Sequence, residues 1–178
     1  MTTYVLVGGA WQRVARRLRD NGHDVYPVTL TGLGERVHLA SPEVDLETHI
    51  TDVVNLIEFE DLHDVVLLGH SYGGLVVTGA ADRIPERISQ LVYLDTAPLP
   101  DGAILLEKFP LEARERTEDQ VQEMIASGHL LFSELSGPKW RFVELPTGHW
   151  PMFSRPEDLA GLLLDIPSDA STPPMASG

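Results

Sequence analysis

The stretch that decides the reading of this chain is Asp64-Val65-Val66-Leu67-Leu68, then Gly69-His70-Ser71-Tyr72-Gly73, then Gly74-Leu75-Val76-Val77-Thr78-Gly79-Ala80-Ala81-Asp82. The apolar, β-branched run before the glycines predicts a strand buried on both faces of a parallel sheet. The run after them predicts a helix packed on that strand. A strand that turns at once into a helix puts Ser71 at a sharp, exposed corner, and the flanking glycines let the backbone pass close by. The backbone N–H of Tyr72 then lies at a helix start, where it can stabilise an oxygen that gains negative charge. The competing reading is a glycine-lined turn with an incidental serine. The strand and helix on either side favour Ser71 as a nucleophile.

Outward from this stretch, strand and helix patterns alternate. Tyr4–Val7 predicts a strand, and Trp11, Val14, Ala15 and Leu18 recur at helical spacing up to the stop signal Asn21-Gly22. Asp24–Leu30 predicts a second strand that runs into Thr31-Gly32-Leu33-Gly34, and Leu46, Ile50, Val53, Val54 and Ile57 line a second helix. Gln90–Leu94 and Trp140–Leu145 predict further strands. A closing helix is expected behind Ser154-Arg155-Pro156-Glu157, read as a capping box, and would bury Leu159, Leu162, Leu163 and Ile166. Repeated β-α units imply an α/β fold, a mainly parallel sheet with helices on both faces. Residues 1–166 read as a single domain and 167–178 as a disordered polar tail. Between Asp95 and Trp140 no strand pattern is visible, so the sheet reads as lacking one strand there. One helix is expected from Glu118 to Ala126, behind the capping box Thr117–Gln120.

Composition narrows the function. The 178 residues suffice for one real core, and 43% hydrophobic with 22% charged residues is ordinary for a globular protein. A net charge of −14 argues against nucleic acid or an anionic membrane as partner. No cysteine is present, which removes disulfides, a thiolate nucleophile and cysteine-ligated metal. The first residues lack a signal-peptide pattern, and no apolar run approaches the ~20 residues of a membrane span, so a cytoplasmic location is expected. Oligomeric state is not legible.

A serine hydroxyl needs a general base. Of seven histidines, His149 stands out, in Leu145-Pro146-Thr147-Gly148-His149-Trp150-Pro151. It falls in a loop between a strand and a helix, at the sheet edge toward which Ser71 points, and it follows Ser71 in the chain. His70 is expected to point away and pack; His23, His38, His49, His63 and His129 have no motif and read as surface or capping residues. The acid that orients the base has competing candidates: the pair Glu118/Asp119, which as first-turn carboxylates could equally serve the helix dipole, and Asp95 at the end of a strand. The second oxyanion donor should come from the turn after the first strand, Gly8-Gly9-Ala10-Trp11, with the Ala10 N–H best placed beside that of Tyr72. Trp11, Tyr72, Trp150 and Phe153 suit an apolar pocket wall, and core packing explains them equally well.

The chain resembles the α/β-hydrolase superfamily, within it the branch of hydroxynitrile lyases, methyl-salicylate-type esterases and bacterial carboxylesterases. The resemblance rests on Leu30-Thr31-Gly32-Leu33-Gly34-Glu35-Arg36, Gly69-His70-Ser71-Tyr72-Gly73-Gly74, Leu91-Val92-Tyr93-Leu94-Asp95 and Leu145-Pro146-Thr147-Gly148-His149, in that order. It implies a serine hydrolase that needs no cofactor or metal and cleaves small-molecule carboxylic esters through an acyl-enzyme, with Ser71 as nucleophile and His149 as base. By the acid-to-histidine spacing of the branch, it favours Asp119, or its neighbour Glu118, over Asp95. The chain departs from the branch at Gly8-Gly9, where relatives read His-Gly, and in a shortened loop before the first helix. It also has a reduced lid and lacks the acid-bearing strand. Lyases of this branch carry Lys after the catalytic histidine, where this chain has Trp150, so an esterase is favoured. The alternatives are a lyase-like enzyme and a non-catalytic binding protein on the same fold.

Overall fold

Four of the apolar runs line up as one parallel sheet in the computed structural model, which describes residues 1–97, 140–141 and 143–166. The strands β1 (Thr3–Val7), β2 (Asp24–Val28), β3 (Val65–His70) and β4 (Ile88–Leu94) lie in the order β2-β1-β3-β4, each neighbouring pair parallel. Helix α1 (Gln12–Asp20) follows β1, a 3-10 turn (Gly34–Leu39) and α2 (Leu46–Phe59) follow β2, and α3 (Gly73–Arg83) follows β3. Two short helices, α4 (Pro151–Ser154) and α5 (Pro156–Leu164), come after His149. The start of α2 is held by a capping box in which the Asp45 carboxylate accepts from the Thr48 N–H at 2.9 Å.

Side-chain alternation along the strands decides what each face buries. Tyr4, Leu6, Val66 and Leu68 face a layer built from Val14, Ala15 and Leu18 of α1 and Leu159 and Leu163 of α5. Val5, Val7, Val65 and Leu67 face Ile50, Val53 and Ile57 of α2 and Val76, Val77 and Ala80 of α3. Covered on both faces, β1 and β3 are apolar over Tyr4–Val7 and Val65–Leu68. At ~1.5–3 kcal/mol for each buried side chain of this kind, these two strands anchor the fold.

From β1 the chain moves out to β2, then crosses back past β1 to β3. The connections that leave the carboxyl ends of β1 and β3 therefore diverge to opposite faces and open a crevice. The turn after β1 and the corner at Ser71 both lie there.

Three expectations change. The stretch Trp140–Leu145 forms no strand among its described residues; it packs by single side chains, Leu145 onto the core and the Trp140 ring 5.8 Å from that of Tyr93. The second strand ends at Val28, two residues before Leu30, which is buried beyond it. The capping box at Ser154 does not form. Pro151 starts a separate helical turn, so Ser154 ends α4 and its hydroxyl donates back to the Trp150 carbonyl at 3.2 Å. Helix α5 starts with Pro156 behind Arg155 and has no side-chain cap, since the Arg155 guanidinium carries no acceptor, while the proline removes one of the unpaired N–H groups of the first turn. The expected helix at Glu118–Ala126, the lid and the tail 167–178 lie outside the described residues. Among the described residues, no helix is long and apolar enough to cross a membrane.

Candidate active site

Main-chain sterics shape the corner after β3. Ser71 has φ +52°, a left-handed conformation that costs a non-glycine residue on the order of 1 kcal/mol. Its N–H donates to the Leu94 carbonyl at 3.2 Å, and its own carbonyl accepts from Gly74 N–H at 2.9 Å, which closes the turn into α3. A Cβ at Gly69 would stand 2.5 Å from the Gly73 carbonyl oxygen, and one at Gly73 would stand 2.7 Å from that of Val7. Both glycines are thus required where β1, β3 and the start of α3 meet.

His149 reaches this corner from the loop before α4. Its Nε2 lies 3.1 Å from the Ser71 hydroxyl oxygen, and its Nδ1 hydrogen-bonds to the Asp95 carboxylate. Asp95 is the first residue past β4 and also takes a positive φ, +50°, which turns its side chain over the end of the sheet. A carboxylate on Nδ1 selects the tautomer with Nδ1–H, so Nε2 is free to accept the serine proton. Hydroxyl, imidazole and carboxylate form one line, all three partly exposed. Asp119 and Glu118 lie outside the described residues.

The turn after β1 stands across from Ser71, with Gly8 at φ +73°; a Cβ there would stand 2.7 Å from the His70 carbonyl oxygen. Among the described residues, the N–H groups of Ala10 and Tyr72 have no backbone acceptor. Trp150 and Phe153 are half-exposed beside His149, with the Trp150 ring 5.3 Å from the imidazole. Trp11, by contrast, is core, 2% exposed. His70, Asp95 and His149 each bring a ligand atom within 4.8 Å of the others, but their nitrogens and carboxylate are engaged in hydrogen bonds with protein groups.

Two histidines read as incidental are parts of this neighbourhood. His49 is buried: its Nε2–H donates to the Thr31 carbonyl at 2.9 Å, and its Nδ1 accepts from the Tyr72 hydroxyl at 2.8 Å. Burial pushes the Tyr72 phenol up, so it stays a donor. Thr31 is held in turn by Asp52, through its N–H at 2.6 Å and its hydroxyl at 2.9 Å, and Arg36 bridges Asp52 and the Thr29 carbonyl. The Thr31–Arg36 motif thus locks the loop after β2 to α2 and, through His49, to the residue after Ser71. His70 does point away from Ser71, yet both its nitrogens are engaged, with the Gly8 and His149 carbonyls. Local spacing gives no signal for either role, because every partner except Tyr72 is a backbone carbonyl supplied by another loop.

The comparisons agree with this architecture. A model of the alpha/beta hydrolase family matches residues 4–130. A carbendazim hydrolyzing esterase from Nocardioides sp. (strain SG-4G) is 49% identical over 116 residues, 62% of this chain and 48% of that protein. Methylesterase 1 of Arabidopsis thaliana is 31% identical over 154 residues, 72% of this chain and 55% of that protein. An extracellular alpha/beta-hydrolase from a Paenibacillus species, described as sharing structural and functional homology with tobacco salicylic acid binding protein 2, superposes with a TM-score of 0.57 at 30% identity, covering 72% of this chain and 52% of that one. The chain spans about half the length of these curated relatives. With the strand-to-helix corner at Ser71 in a parallel sheet, and a family match over most of its length, the chain belongs to the alpha/beta hydrolase family.

Proposed function

We propose that this chain carries the catalytic centre of a serine ester hydrolase acting on small-molecule carboxylic esters, with Ser71 as nucleophile, His149 as base and Asp95 as the orienting acid. The line of Ser71 hydroxyl, His149 ring and Asp95 carboxylate, with Ser71 strained at the corner, carries this reading. Ser71 Oγ attacks the ester carbonyl carbon while His149 Nε2 takes its proton. Asp95 stabilises the imidazolium that forms. The carbonyl oxygen becomes an oxyanion facing the Ala10 and Tyr72 N–H groups. His149 then gives the proton to the departing alkoxide, which leaves as an alcohol, and the acyl group stays on Ser71. A water molecule, deprotonated by His149, attacks the acyl carbon; as the Oγ–carbon bond breaks, His149 returns the proton to Ser71 Oγ and the acid is released. The esterases among the relatives support the class, and carbendazim and methyl esters are the substrates to try first. A cytoplasmic location belongs to the same proposal and is checked by fractionation.

The test is labelling with a fluorophosphonate together with turnover of p-nitrophenyl acetate. The label should sit on Ser71, and Ser71→Ala should lower kcat on the order of 10⁴–10⁶-fold with an unchanged melting temperature. Labelling of a different serine, or a Ser71→Ala variant that keeps most of its kcat, overturns the proposal.

A further inference from the structure

His70 is 1% exposed at the end of β3, and the mechanism above makes no use of it. Its Nδ1 lies 2.8 Å from the Gly8 carbonyl oxygen and its Nε2 lies 2.7 Å from the His149 carbonyl oxygen. Gly8 opens the turn that carries Ala10, and His149 is the proposed base. A single ring therefore spans two backbones, 62 and 79 residues away in the chain. The His149 loop has little regular structure of its own to fix its height above the sheet.

We propose that His70 is a positioning residue whose buried ring, lodged between the Gly8 and His149 carbonyls with an N–H to one of them, holds the backbone of His149 against the turn after β1 and so sets the spacing between base and oxyanion donor. This rests on the reading of Ser71 and His149 as nucleophile and base. Both partners of the ring are carbonyl oxygens, which only accept. The imidazolium satisfies both, and the neutral ring satisfies one while turning a lone pair toward the other. The titratable groups facing the ring are His149, with ring centroids 4.8 Å apart, whose charged form opposes a charge on His70, and Asp95, whose carboxylate favours one. Trp11 and Trp150 cover its other sides at 6.4 and 5.1 Å. Burial is the dominant influence and pushes His70 below the ordinary histidine range. The unfolded chain then binds more protons than the folded one between the unfolded value, about 6.5, and the depressed folded value. Stability that His70 contributes above this window is lost as the pH falls through it.

His70→Phe keeps a buried ring without donors, and His70→Gln restores an N–H donor. The His70→Phe variant should lose about 10- to 100-fold in kcat with KM little changed, because a base displaced by a fraction of an ångström misses its proton. His70→Gln should recover part of that loss, and in both variants the acid-side fall in melting temperature should be shallower than in the parent. In the parent, NMR of the ring nitrogens should show a His70 N–H protected from exchange, and the His149 amide signals should shift in His70→Phe. A His70→Phe variant with parental kcat, or a Gln variant no better than Phe, overturns the proposal. If the parent is no faster than Ser71→Ala, the hydrolase reading has failed instead. The NMR arm then still decides: a protected ring N–H with shifted His149 signals upholds the tie, and a freely exchanging ring overturns it.

Discussion

Ser71 stands at the end of a strand that is buried along its whole length and paired on both sides, whereas His149 sits in an irregular loop fastened by a few side chains. On the Ser71 side, the parallel ladders β1–β3 and β3–β4 and the nearest contacts of the glycines at 69 and 73 are main-chain features. On the His149 side, the ties are the His70 ring, the Asp95 carboxylate, and the Tyr4 hydroxyl, which donates to the Leu163 carbonyl at 2.9 Å. The exposed Arg17–Glu157 ion pair joins α1 to α5 but, being solvent-screened, contributes little. The contrast implies that Ser71, the proposed nucleophile, is placed by backbone sterics, while His149, the proposed base, is placed by side chains and can be moved one bond at a time.

Among variants that keep Ser71, the largest effect should come from the carboxylate on His149. Asp95→Asn should lower kcat by about 10³–10⁴-fold, because the amide would favour the wrong tautomer of the imidazole. Glu118→Gln and Asp119→Asn, made beside it, should change kcat far less. The opposite order would show that the acid comes from the segment between Asp95 and Trp140, and the base side would then be more complex than the described residues make it. Steady-state kinetics of the three amides read this directly.

A second pair of variants sets backbone against loop. Gly73→Ala drives a Cβ into the Val7 carbonyl, where no side chain can move aside, and should destabilise by about 1–3 kcal/mol in thermal melts. Gly148→Ala, directly beside His149, meets no heavy atom of the described residues within 4 Å and should stay within about 0.5 kcal/mol of the parent. Equal losses at the two sites would break the comparison.

The smallest effect tests how the closing helix is held. Tyr4→Phe removes one buried hydrogen bond between β1 and α5 and should cost about 1 kcal/mol, with kcat unchanged. A drop in kcat would show that α5 transmits strain to His149.

Much of this was readable from the chain. The runs Tyr4–Val7, Asp64–Leu68 and Gln90–Leu94 announced strands because a sheet covered on both faces tolerates little but apolar residues. Trp140–Leu145 has the same look and forms no strand among its described residues: a strand exists only through a partner ladder, and among the described residues β4 pairs with β3 alone. Ser154 carried the local signature of a cap, but Pro151 had already started another turn.

By itself the sequence determined the corner at Ser71, because Gly-x-Ser-x-Gly between a strand and a helix works through contacts only a few residues apart, where a missing Cβ decides what fits. Only the tertiary structure decided that Asp95 meets His149 across 54 residues, and that the ring of His70 bridges Gly8 and His149. Those pairings depend on the order in which the strands stack. Strand order is a property of how whole elements bury their faces, and no spacing between two residues along a chain encodes it.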